Sequence, residues 1–254
     1  MRVMKGVMIA LPALAVLLAP GPAAADWERT KSKIEAALEA DVRDEAERER
    51  DRNRRPVETL EFFGFRDDMS VVELMPGGGW YTKILAPVLA EEGEYYAALG
   101  TSRVEGALAD QPGFEAMNVT AGDASFVRED GGLNIDLPGG LGVEEVDMVL
   151  TFRNYHNFGA EGRAAINAAV YDALEPGGIY GVVDHTRRHM QADGPENGRR
   201  VDPVLAIKEI QDAGFRFVDY SPLHYRPDDE LVYEVGRRSV TGNTDRFTLK
   251  FVKE

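Results

Sequence analysis

The chain contains no cysteine among its 254 residues. That excludes disulfide bonds and a lipid-modified cysteine anchor, so the fold rests on its own core. Basic residues are scarce as well: 29 Lys and Arg stand against 44 Asp and Glu, a formal net charge of −15. A surface of that sign repels phosphate backbones, which argues against nucleic-acid binding, and it favours solubility. Histidine is rare, with four residues. Asp184-His185 with His189 four residues on could bind a metal on a helix. Glycine, proline and asparagine follow closely, however, and no His-Glu-x-x-His spacing occurs, so no metal ligand is assigned.

What is present begins with an export-type leader. Arg2 and Lys5 precede the apolar run Val7–Ala19, which is shorter than the roughly 20 residues of a membrane span. Pro20-Gly21-Pro22 breaks the run, and Ala23-Ala24-Ala25 forms a small-residue cleavage site before Asp26. We read residues 1–25 as a cleavable signal peptide, with an uncleaved anchor as the competing reading. The mature chain is then expected to be periplasmic or secreted, with no stable membrane anchor. Cleavage removes Arg2 and Lys5 and no acid, so the net charge moves from −15 to −17.

Residues 26–55 form a charged N-terminal arm. Ile34, Ala37, Leu38 and Val42 recur at spacings of three and four, an amphipathic helical pattern. Asp41 to Arg55 is nearly all charge, helical only where Glu and Arg pair along it, and Pro56 ends it. The arm either closes over a cleft or lies as a solvated helix, and the residues alone favour the second.

From 56 to 254 strands alternate with helices. Strands are predicted at 70–74, 94–99, 114–119, 146–152 and 179–184, with helices at 81–90, 103–110 and 161–174. Pro87 should kink or shorten the first of these helices. Gly131-Gly132 and Gly139-Gly140 mark loops before the fourth strand. A helix over 202–214 closed by glycine and strands at 215–220 and 246–252 complete the chain. Such alternation predicts a Rossmann-like, doubly wound, mainly parallel seven-stranded α/β sheet with helices on both faces.

The most informative stretch is Val71-Val72-Glu73-Leu74-Met75-Pro76-Gly77-Gly78-Gly79-Trp80-Tyr81-Thr82. An apolar strand ends in an acid, and a glycine turn leads into an apolar helix. Glycines there accept positive φ and let backbone approach a ligand, while the helix start offers free N–H groups. This order resembles motif I of class I S-adenosylmethionine-dependent methyltransferases, with Glu73, Gly77 and Gly79 matching and Met75 replacing the first glycine. The Pro-Gly-Gly-Gly-Trp-Tyr-Thr form is similar to a group of predicted methyltransferases that carry export signals.

The resemblance implies S-adenosylmethionine as cofactor, held by Glu73, Pro76, Gly77, Gly78, Gly79 and Tyr81. It also implies Asp123 as an acceptor for the adenine amino group, although Gly122-Asp123 reads equally as a turn. The acid that would hold the ribose hydroxyls is replaced by Leu99. After the fourth strand comes Arg153-Asn154-Tyr155-His156-Asn157. The Asn-Pro-Pro-Tyr motif of nucleobase and amide methylation is absent, which points to a small-molecule acceptor. Asn154 and Tyr155 would position it. His156 would be its base or would satisfy loop backbone groups. Glu175-Pro176-Gly177-Gly178 resembles a turn common in this superfamily. The second function consistent with these residues is a non-catalytic ligand-binding protein on the same fold.

Overall fold

The computed structural model describes residues 22–129 and 132–254. The apolar core of the expected signal peptide lies outside the described residues. No described helix is long and apolar enough to cross a membrane.

Apolar residues on both faces of each central strand decide the architecture. In strand β1 (Ser70–Leu74) Val71 packs to one side of the sheet and Val72 to the other. The fourth parallel strand repeats the division, with Met148 and Leu150 on one face and Val149 on the other. A strand buried on both faces needs helices on both. One layer holds α1 (Pro22–Glu39), α4 (Pro56–Phe63), α5 (Thr82–Leu89) and α6 (Ser102–Leu108). The other holds α7 (Ala160–Ala173) and α8 (Pro203–Asp212).

The remaining strands are β2 (Glu94–Ala98), β3 (Asn118–Thr120), β4 (Ser125–Glu129), β5 (Gly132–Asp136), β6 (Val146–Phe152), β7 (Leu174–His185), β8 (Phe215–Tyr220) and β9 (Arg246–Lys253). The seven-stranded sheet runs β3-β2-β1-β6-β7-β9-β8. All neighbours are parallel except β9, which is antiparallel to both β7 and β8. The doubly wound, mainly parallel sheet is therefore as predicted, and its last two strands pair antiparallel. Strand order reverses between β1 and β6, and ligands of such sheets bind in the crevice at the carboxyl ends of strands flanking that reversal.

Four local features differ from the sequence reading. The third strand is only Asn118–Thr120, because Phe114 turns into the core instead of extending the strand. Residues 125–136 form the separate β4–β5 hairpin, where only loops were expected. The helix α4, which starts at Pro56 and closes at left-handed Gly64, was not foreseen. Pro87 leaves α5 intact to Leu89.

The arm is folded onto the domain and is not a single solvated helix. Ile34 and Ala37 of α1 are buried against the α4–α5 layer. Asp67, fully buried, anchors α1 by accepting from Arg29 at 2.9 Å and Thr30 at 2.9 Å and by pairing with Lys33 at 2.8 Å. The highly charged end breaks into two single turns, α2 (Glu45–Arg48) and α3 (Asp51–Arg54). A reciprocal cap between Asp44 and Glu47 starts α2, and buried Arg43, just ahead of α2, pairs with the half-buried Asp51 of α3.

Candidate functional site

The register brings the strand ends to one level. Leu74 of β1 lies opposite Ala98 of β2 and Thr151 of β6, and Ala98 lies opposite Thr120 of β3. Just beyond these positions Met75, Leu99, Ala121 and Arg153 all adopt left-handed backbone, with φ of 50°, 68°, 54° and 62°. Non-glycine residues pay for that conformation by about 1 kcal/mol or more each. Four of them along one sheet edge turn the chain sharply out of every strand that borders the crevice. Met75 thus occupies, with a side chain, a conformation where motif I ordinarily has glycine.

The glycine loop follows. Gly77 and Gly79 have φ of 61° and 83°. A Cβ on Gly77 would meet nothing within 4 Å, so its bare face is open to a ligand, whereas one on Gly79 would meet Val104 and Leu108 of α6 at 3.0 Å. Gly77 therefore serves approach to the cavity and Gly79 serves helix packing.

Glu73, Pro76, Gly77, Gly78, Tyr81 and Asn154 line a single cavity of about 300 Å³. Glu73 is buried, and its Oε2 accepts from the hydroxyls of Tyr95 at 2.7 Å and Thr82 at 2.8 Å. Burial pushes its carboxyl up to about 7, against the two hydrogen bonds that favour the charged form. Asn154 donates to the carbonyls of Met75 at 3.0 Å and Phe152 at 3.1 Å, tying the end of β6 to the glycine loop. Tyr81 stacks flat on Phe152, with centroids 3.5 Å apart.

Other expected site residues are not gathered there. Asp123 is exposed in the turn between β3 and β4, beside Gly139, and does not line the cavity. Leu99 is buried in the core. Tyr155, expected to position an acceptor, is 2% exposed, and its hydroxyl donates to Glu209 and accepts from Asn167, both at 3.0 Å. Its place is in the packing between α7 and α8, which corrects the assignment.

His156 has a partner that the sequence did not reveal. Its Nδ1 lies 2.7 Å from Oδ1 of Asp184, the fully buried acid near the end of β7, and its backbone N–H donates to Oδ2 at 2.8 Å. Asp184 also accepts from the backbone N–H of His185 at 2.6 Å. The His185 ring is 5.6 Å from that of His156. Burial, then Arg246 and His156, hold its pKa well below the usual histidine value, so it is neutral. Its Nδ1 meets Thr244 at 2.9 Å, and His189 pairs with Asp202 at 2.9 Å. Among the described residues no cluster of acids and histidines is arranged to hold a metal.

The sequence reading also missed the arginines. Arg50 and Arg54 of the arm, Arg103 of α6 and Arg153 after β6 all line the cavity. Arg54 sits with its guanidinium 4.1 Å above the Trp80 ring and 5.6 Å from Tyr81, while Arg43 covers the other ring system contact of Trp80 at 5.0 Å. Trp80 in turn donates through Nε1 to the Glu47 carbonyl, and Glu47 pairs with Lys83 at 2.8 Å. The arm thus closes over the glycine loop. The signal available in the sequence was the Arg-Asn pair after β6 and the charge density before Pro56, but nothing local joined them.

No family model matches the sequence, and no curated protein matches it. Solved structures do share the fold. A SAM-dependent methyltransferase from Aquifex aeolicus superposes with a TM-score of 0.56 at 16% identity, covering 88% of this chain and 98% of that one. The [4+2]-cyclase SpnF gives 0.53 at 13% identity, covering 93% and 97%. The glycopeptide N-methyltransferase MtfA gives 0.51 at 15% identity, covering 80% and 96%. At such identities the likeness establishes the fold, that of the class I methyltransferases. A cyclase among these structures shows that this fold does not by itself dictate the reaction.

Proposed function

We propose that the chain is an S-adenosylmethionine-dependent methyltransferase acting on a small-molecule acceptor in an extracytoplasmic compartment. The observation that carries the reading is the shared cavity: the glycine loop at the reversal of strand order opens into the same space as the residues that follow β6. The fold neighbours support the same chemistry.

The residues fit the methionyl end of the cofactor. Gly77 leaves its backbone approachable, and Arg103, within 3.7 Å of a Cβ built on Gly78, is suited to a carboxylate. The ribose end has no acid at Leu99, and Glu73 is committed to Thr82 and Tyr95. Asp123, the acid expected for the adenine side, is exposed outside the cavity. When bound, S-adenosylmethionine supplies a methyl group activated by a sulfonium.

The protein's own contribution is positioning and proton removal. Asn154 holds the loop after β6 against the glycine loop, so acceptor and methyl group meet at a fixed separation, and such placement gives much of the acceleration. Asp184 accepts from Nδ1–H of His156, which fixes the tautomer and leaves the Nε2 lone pair as the base. His156 would take at Nε2 the proton that the acceptor loses when it is methylated.

Calorimetry with S-adenosylmethionine and its demethylated product tests the reading. Wild type should bind both, and Gly77→Val should abolish binding by filling the open face. No heat at millimolar ligand would favour a ligand-binding protein without catalysis, the reading that the burial of Leu99 supports.

A further inference from the structure

The cavity over the glycine loop holds more positive charge than its surroundings neutralise. Among the described residues none of Arg50, Arg54, Arg103 and Arg153 forms an ion pair with a carboxylate. Of the two acids that line the cavity, Glu47 is taken by Lys83, and Glu73, whose Oε2 accepts from two hydroxyls and which feels the charge of Arg54, offers one carboxyl against four guanidiniums. Arg54 is 5% exposed, and its Nε has no hydrogen-bond partner. Arg246, 7% exposed and also with an unpartnered Nε, stands behind them and donates only to the Asn53 carbonyl.

These guanidiniums repel one another. Burial and the neighbouring Arg153 push Arg54 down to about 8, and burial pushes Arg153 and Arg246 down to about 10. A guanidinium keeps its proton in a folded protein, so the depression reflects first the cost of burying these charges and then their mutual repulsion. An unpartnered buried guanidinium is destabilising in a monomeric core and is retained where an anion completes it. Trp80 and Tyr81 hold the Arg54 guanidinium by cation–π contact, and among the described residues no carboxylate pairs with its N–H groups, which suit a forked contact with an oxyanion.

We propose that Arg54 and Arg153, with Arg50 at the rim, bind a small, multiply charged oxyanion: the acceptor carries a phosphate or a pair of carboxylates. That it is the acceptor rests on the methyltransferase reading; the anion site itself does not. One cofactor carboxylate would engage one arginine and leave the others in excess. A multiply charged acceptor neutralises them and also lies opposite in charge to a sulfonium.

The test is calorimetry on the full mature chain with inorganic phosphate, malonate and acetate, each with and without saturating S-adenosylhomocysteine. Phosphate or malonate should bind in the presence of S-adenosylhomocysteine, and acetate, with one charge, should bind more weakly. The tighter of the first two identifies the acceptor's anionic group. Arg153→Gln and Arg50→Gln, which alter less buried positions than Arg54, should each lower that affinity about tenfold or more while the melting temperature without ligand stays level or rises. Absence of phosphate and malonate binding overturns the proposal. So does displacement of both by S-adenosylhomocysteine, since the arginines would then serve the cofactor's carboxylate, and so does unchanged affinity in both variants. Phosphate binding by a chain that does not bind S-adenosylhomocysteine supports the anion site and defeats the methyltransferase reading instead.

Discussion

At the scale of single residues, two buried acids near the crevice have opposite assignments. Glu73 has its carboxyl raised to about 7, first by burial, from an ordinary value of 4.5. A raised carboxyl binds its proton more tightly when folded, so the associated stability is complete below about pH 4.5 and is lost as pH climbs to about 7. Glu73→Gln retains an acceptor for Thr82 and Tyr95 and removes the charge. Its stability should match wild type near pH 4 and exceed it at pH 8 by on the order of 3 kcal/mol at most; thermal melts across that range are the check. Asp184 instead acts through His156. If His156 is the base, His156→Ala should cut turnover about a hundredfold or more, with the cofactor Kd from calorimetry nearly unchanged. The loss should shrink at alkaline pH, where the acceptor ionises unaided. Full activity in the variant would leave the histidine a loop-packing role.

At the scale of elements, legibility followed sequence distance. β1, the glycine turn and α5 are contiguous, and their change from strand-like to helix-like pattern could be read directly. The β4–β5 hairpin escaped because β4 is solvent-exposed and lacks the apolar alternation that marks a core strand, while β5 alternates over only Leu133 and Ile135. The Asp184–His156 contact spans 28 residues and the closure of Trp80 by Glu47 spans 33, separations that no local period encodes. For the same reason the arm read as solvated: its apolar residues are few, and its attachment runs through Asp67 instead. The Asp67 carboxyl is held well below the usual carboxylate range, first by the Arg29 hydrogen bond and then by Lys33 and Thr30 against the effect of burial. A depressed carboxyl contributes stability above its unfolded pKa and loses it as pH falls below about 4. Asp67→Asn should therefore loosen α1 at neutral pH much as acid does in wild type. Hydrogen exchange of α1 amides should quicken about tenfold or more, while β6 and β7 stay protected. Equal protection of α1 in both proteins would show that Ile34 and Ala37 suffice to hold it.

At the scale of the whole molecule, a strongly acidic chain encloses an arginine-lined cavity. Rejection of polyanions by the surface and attraction of a small anion at the crevice are then compatible, because screening confines each field to about 10 Å at ordinary ionic strength. The proposed location carries its own prediction: N-terminal sequencing of the native protein should give Asp26, and a start at Met1 in a cytoplasmic pool would refute export. The described part of α1 begins at Pro22, so such a cut falls in its first turn, four residues before the Thr30 that grips Asp67. The position of Trp80 has an optical consequence. The chain has two tryptophans, and the other, Trp27, sits half-buried on α1, away from the guanidinium pair that flanks Trp80. In a Trp27→Phe protein, emission would come from one indole beside Arg54, whose charge an incoming anion neutralises. Its colour and quenching would then follow occupancy of the crevice in real time, without any attached dye.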